Sequence, residues 1–168
     1  MNRPVTLQEI LQAKITSLEE MAGQLKDLSE LKRNIADDAE NLPEHPERFR
    51  QKAMEHKRDA FAALAAKYIL EEVVVAARTK AEQIALMRHY VLEFGQEMRR
   101  KAKLSNSLAD DDPQKWEVDE DGFQASFVVS TLNGILSDVA PEPPHYTLPS
   151  PSRNRGTARL SEPIRTRL

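Results

Sequence analysis

The chain reads as an all-α protein, an elongated helical hairpin with coiled-coil character, a third shorter helix and an extended C-terminal tail. Three observations predict this. Glycine is scarce, at 5 of 168 residues, less than half its usual share of about 7%, whereas an all-β sandwich needs turn residues throughout. Prolines are absent from Val5 to Leu42 and from Glu47 to Asp112, which leaves two long uninterrupted stretches for helices. Finally, apolar residues in those stretches recur at intervals of three and four.

The first helix is expected from residue 6 to 41. Thr6 and Glu9 have the spacing of a capping box, in which the hydroxyl accepts an early backbone N–H and the carboxylate reaches back to the cap. Behind it runs a heptad. Leu11, Leu18, Leu25, Lys32 and Ala39 take position a, and Leu7, Lys14, Met21, Leu28, Ile35 and Leu42 take position d. A seam with a 3.5-residue period calls for a partner helix wound around it in a left-handed sense. The partner is either another copy of the chain or the next helix of a hairpin.

The second helix is expected from residue 46 to 104. Pro46 suits a first turn, and Arg99, Arg100, Lys101 and Lys103 suit a C-terminus. At 1.5 Å per residue such a helix would reach roughly 90 Å, against about 40 Å for a compact domain of this size. It must therefore break, with Gly95 the expected place, or the molecule is elongated. Its middle is apolar on two faces. Leu70, Val74, Ala77, Ala81, Ile84, Val91 and Met98 follow one seam, and Phe61, Leu64, Tyr68 and Val75 the other. A helix apolar on several sides needs neighbours on several sides, and one helix of a hairpin covers only one. A second protomer or a third helix must supply the rest. The candidate oligomer interface is accordingly Leu11, Leu18, Met21, Leu25, Leu28, Phe61, Leu64, Tyr68, Leu70, Val74, Ile84 and Val91.

Residues 105–140 read as an acidic linker plus a short helix. Asp110, Asp111 and Asp112 mark the linker, and Phe123, Phe127, Val128, Thr131, Leu132, Ile135 and Val139 share one helical face, with Asp121 as a candidate cap. The competing reading pairs Trp116–Val118 with Phe127–Val129 as a β-hairpin. From residue 141 to 168 the composition shifts. Six of the ten prolines lie there, and five arginines against Glu142 and Glu162 give +3, leaving −6 on the rest of a chain whose total is −3. Such a segment buries too little apolar surface to fold alone. Arg153, Arg155, Arg159, Arg165 and Arg167, with Leu160, Ile164 and Leu168, are the candidate partner-binding residues. They suit a clamp on a neighbouring subunit, or a nucleic-acid-contacting arm acting through phosphate contacts, or a plain solvated tail.

No catalytic residue, cofactor or metal is expected. There is no cysteine, no phosphate-binding glycine loop and no HExxH. His89 and Glu93 share a helix face but form only a pair. Glu117, Asp119, Asp121 and Gly122 imitate the start of an EF-hand loop, yet its twelfth position is Val128 where a bidentate Glu belongs. The run from Ala60 to Ala77 contains Lys67, Glu71 and Glu72, so no membrane span is expected. With no apolar leader visible, a cytoplasmic location is expected, in a bacterial host or in a viral or secretion assembly. The function expected is that of a non-enzymatic, self-associating assembly, adaptor or chaperone subunit of a larger protein complex. A nucleic-acid-binding accessory protein using the arginine arm is the alternative.

Overall fold

The computed structural model describes residues 5–140, and the tail residues named above lie outside them. Four helices make up the described part: α1 (Leu7–Ala36), α2 (Pro46–Ala76), α3 (Lys80–Ser107) and α4 (Pro113–Val139). No strand occurs among the described residues, so the hairpin alternative for 116–129 is not formed and that stretch is helix.

The capping box at Thr6 forms as expected. The Glu9 N–H donates to Thr6 Oγ1 at 3.2 Å, and the Thr6 N–H donates to Glu9 Oε2 at 2.7 Å. The helix ends at Ala36, five residues before the expected limit. Beyond it the Asp38 carboxylate accepts from the Glu40 and Asn41 N–H groups at 3.0 and 3.1 Å, and this local bonding competes with helix propagation. Ala39 and Leu42 therefore drop out of the seam, Leu42 with 64% of its surface exposed.

The single helix expected over 46–104 is two helices, and the break is at residues 77–79 rather than Gly95, which lies inside α3. The cause is a second capping box. The Glu82 N–H donates to Thr79 Oγ1 at 3.2 Å, while Glu82 Oε2 accepts from the N–H groups of Thr79 and Arg78, both at 2.9 Å. The last helix is likewise longer than expected. Asp112, not Asp121, is its cap, accepting from the Gln114 N–H at 2.8 Å with Pro113 in the first turn.

α1 and α2 form one antiparallel hairpin and α3 and α4 a second; the two meet chiefly through α2 and α4. Antiparallel register in the first is set by Ser29, whose hydroxyl donates to the Ala53 carbonyl at 2.8 Å in a buried contact, and by Lys67, paired with Glu19 at 3.1 Å. In the second it is set by Lys101 with Asp121, beside Gly122, where an added Cβ would lie 3.4 Å from the Lys101 Cβ. Across the hairpins the Arg58 guanidinium stacks 4.0 Å from the centroid of the Phe123 ring. The main core lies toward the α2–α3 turn. There Leu7, Leu11, Ile15 and Leu18 of α1 meet Ala63, Ala66, Leu70 and Val73 of α2, Met87 of α3, and Val128, Leu132, Ile135 and Leu136 of α4.

The seam of α1 differs from the heptad in one respect. Position a is occupied as expected at Leu11 and Leu18, but the second row is Ile15, Ala22, Ser29 and Ala36, and all four are buried. Of the expected d positions Leu7 is buried at 6% exposure, but Met21 and Leu28 are pushed outside, 37% and 41% exposed. The facing surface of α2 explains the choice. It presents Ala53, Ala60 and Ala63, all buried, and small residues on both sides let two backbones approach toward the close end of the roughly 8–10 Å range of helix packing.

Candidate interaction surface

α2 is the helix with most neighbours. Its buried arc holds Ala53, Ala60, Ala62, Ala63, Ala66, Leu70 and Val73, and it serves both α1 and α4. The helix expected to need two partners thus finds a second one within the chain, in α4. Leu11, Leu18 and Leu70 of the candidate oligomer interface are spent in this intrachain core, at no more than 1% exposure. Leu64, Val74, Ile84 and Val91 pack against its edge, and Leu25 is half-buried. None of these eight stands fully exposed. Met21, Leu28, Phe61 and Tyr68 are exposed.

Coverage by α1 and α4 leaves one face of α2 open. Met54, Phe61, Tyr68 and Val75 stand at intervals of seven residues and are 46%, 48%, 62% and 83% exposed. Seven residues are nearly two helical turns, so the four side chains form one stripe that drifts about 20° per step on a straight helix. Phe61 and Tyr68 each carry a lysine ammonium 5.7 Å from the ring centroid, from Lys57 and Lys67. Lys67 is held on that side by Glu19 at 3.1 Å and Glu71 at 3.5 Å, and the bond to Glu19 raises its pKa. Beside Phe61 a groove of about 480 Å³ opens between α1 and α2, floored by Ala22, Gly23, Ala60 and Leu64 and rimmed by Lys26 and Lys57. Gly23 widens it, since a Cβ there would touch nothing within 4 Å. Met54 is not among the candidate interface residues of the sequence, although it stands seven residues before Phe61.

The remaining polar groups offer little chemistry. Tyr90 has its pKa pushed up to about 12, chiefly by burial, with a further contribution from the nearby Glu72 carboxylate of α2. His89 and Glu93 are 3.7 Å apart and both exposed. Glu117, Asp119, Asp121 and Gly122 lie on the helical backbone of α4, which cannot wrap a cation as a loop does. Of the basic run, Arg100 is bonded to Glu97 at 2.8 Å and Lys101 to Asp121. Among the described residues no group of three or more His, Cys, Asp or Glu is placed to hold a metal ion, and no helix is long and apolar enough to cross a membrane.

Comparison with protein-family models found no match, and neither did comparison with curated proteins or with solved structures.

Proposed function

We propose that this chain is a non-enzymatic assembly subunit, an adaptor or chaperone that self-associates and whose C-terminal tail clamps a neighbouring subunit of a larger complex. One observation carries the reading: four large apolar side chains stay outside on α2, a helix that buries Ala53, Ala60, Ala62, Ala63 and Ala66. Scattered exposed apolar residues are ordinary, but contiguous ones beside a groove mark interaction sites. The tail enters through its sequence, five arginines interspersed with Leu160, Ile164 and Leu168 and carrying +3 beside a body of −6. An arginine-rich arm suits the acidic surface of a neighbouring subunit better than a polyanion that its own body would repel.

Light scattering of the full chain at micromolar concentration tests the first half. A mass above that of one chain is expected, and a monomer would overturn the reading. Deleting 141–168 should leave helicity and melting unchanged, because the core described above lies before it. Salt tests the second half. Binding through five arginines to DNA would show log affinity falling against log salt with a slope steeper than about −3, whereas a clamp on protein should show a shallow slope and suffer more from Leu160, Ile164 and Leu168 to Ser than from Arg153 and Arg155 to Ser.

A further inference from the structure

We propose that the occupant of the α2 stripe is the α2 stripe of a second copy of this chain, laid antiparallel across a two-fold axis between Phe61 and Tyr68. This rests on the reading of the chain as self-associating, and adds the partner, the surface and the orientation.

The spacing selects a helix as partner. A stripe repeating every seven residues is followed along its length by another helix crossing at about 20° in the left-handed sense. A strand or a flat surface would follow no such repeat. Among the described residues no other helix offers an equivalent length: α1 exposes Met21 and Leu28 seven residues apart, two positions at 37% and 41% exposure against four on α2, and the exposed Leu92 and Leu104 of α3 are twelve residues apart, which sets them about 120° apart around the helix.

The charges select the orientation. Toward its N-terminus α2 carries Arg48, Arg50, Lys52, Lys57 and Arg58 against Glu47, Glu55 and Asp59; beyond Phe61 it carries Lys67 against Glu71 and Glu72. Two parallel copies would set the basic halves side by side. Antiparallel copies bring Lys57 toward the partner's Glu71, and the symmetry repeats the pair on the other side of the axis. Lys57 is exposed, and the Glu71 side chain remains 41% exposed despite Lys67. The helix dipoles also oppose in this orientation.

The shapes agree. In this register Phe61 meets the partner's Tyr68 and Met54 meets the partner's Val75, with the two largest side chains at the centre. The groove beside Phe61, floored by Ala22, Gly23 and Ala60, is a hole of small residues at the level of the partner's Tyr68, which is the knob. A two-fold pair gives each copy one knob to insert and one hole to receive, which is the self-complementarity that an isologous interface requires.

The absence of cysteine makes the test clean. Met54→Cys and Val75→Cys variants, both at exposed sites, are first checked for unchanged helicity and then oxidised separately and mixed. The expected result is a disulfide-linked pair in the mixture, several-fold above what either variant forms alone. Pairs formed equally well by each variant alone would overturn the antiparallel orientation. A chain that is dimeric by light scattering but cross-links in neither arrangement would overturn this interface while leaving self-association standing. A monomer would overturn both.

Discussion

The two hairpins bury their helices by different means. In the first, α1 and α2 each bury seven residues, and the rows that face each other are largely Ala, Ser and Leu. In the second, α4 buries six while α3 buries only Gln83, Met87 and Ser105. α2 and α4 are inner helices with neighbours on two sides, whereas α3 leans outward on one large anchor, Met87, helped by the Lys101–Asp121 pair. Small residues are concentrated in the seam between α1 and α2, where they let the two backbones approach closely, whereas α4 fills its place against α2 and α3 with Val, Leu and Ile. The larger Met21 and Leu28 of α1 are left outside that seam, and Met54, Phe61, Tyr68 and Val75 of α2 are exposed as well.

The largest expected effect tests the first hairpin. Leu70→Ala removes a side chain with no exposure from the point where all four helices meet, and should cost about 2–5 kcal/mol, read as a lowered denaturation midpoint. Next comes overpacking. Ala63→Leu, at a site with no exposure, should cost about 1–3 kcal/mol, or more if α1 cannot move aside. The same enlargement at Ala102, on the exposed side of α3, should change little. Hydrogen exchange sharpens the contrast further: amides in the second half of α3 should exchange through a lower-energy opening than those at the centre of α2.

Smaller effects concern the turn between the hairpins. Thr79→Ala removes the cap of α3 and should cost about 1 kcal/mol. Acidification probes the same device. Glu82 has a lowered pKa, chiefly from the backbone N–H of Thr79, and Glu9 likewise from that of Thr6. A carboxylate with a folded-state pKa below its unfolded value stabilises the fold above the unfolded value, about 4.3, and loses that contribution as pH falls through the folded one. Melting temperature should therefore fall on acidification below that point, and Glu82→Gln should lessen the dependence. Smallest of all, Gly95→Ala should stabilise by about 0.5–1 kcal/mol, since Gly95 is helical and an added Cβ meets nothing within 4 Å.

The helical class and the N-terminal capping box were legible because both depend on neighbours in sequence. The break at 77–79 was equally legible in principle, since Thr79 and Glu82 repeat the spacing of Thr6 and Glu9. The apolar run through Val73, Val74 and Val75 suggested continuity, and Gly95 drew attention because glycine is a helix breaker. In the event, a cap outweighs a tolerated glycine. The identity of the α1 seam was not legible. Residues 21 and 22, or 28 and 29, are neighbours on the helix, and size alone favours Met21 and Leu28. Only the alanines on the facing side of α2 decide for Ala22 and Ser29. The two-faced character of residues 61–98 was visible, but its meaning was not: α4 covers one face of α2, and the stripe through Phe61 and Tyr68 stays exposed.

That remaining stripe is the central claim, and the mass of one variant tests it most directly. Sedimentation at micromolar concentration should give the wild-type chain twice the 19.1 kDa of one copy, and the Phe61→Lys, Tyr68→Lys double variant the mass of a single chain with helicity unchanged and a melting temperature lowered only by the loss of association. A double variant that remains dimeric, or a wild-type chain that is already monomeric, would contradict the account.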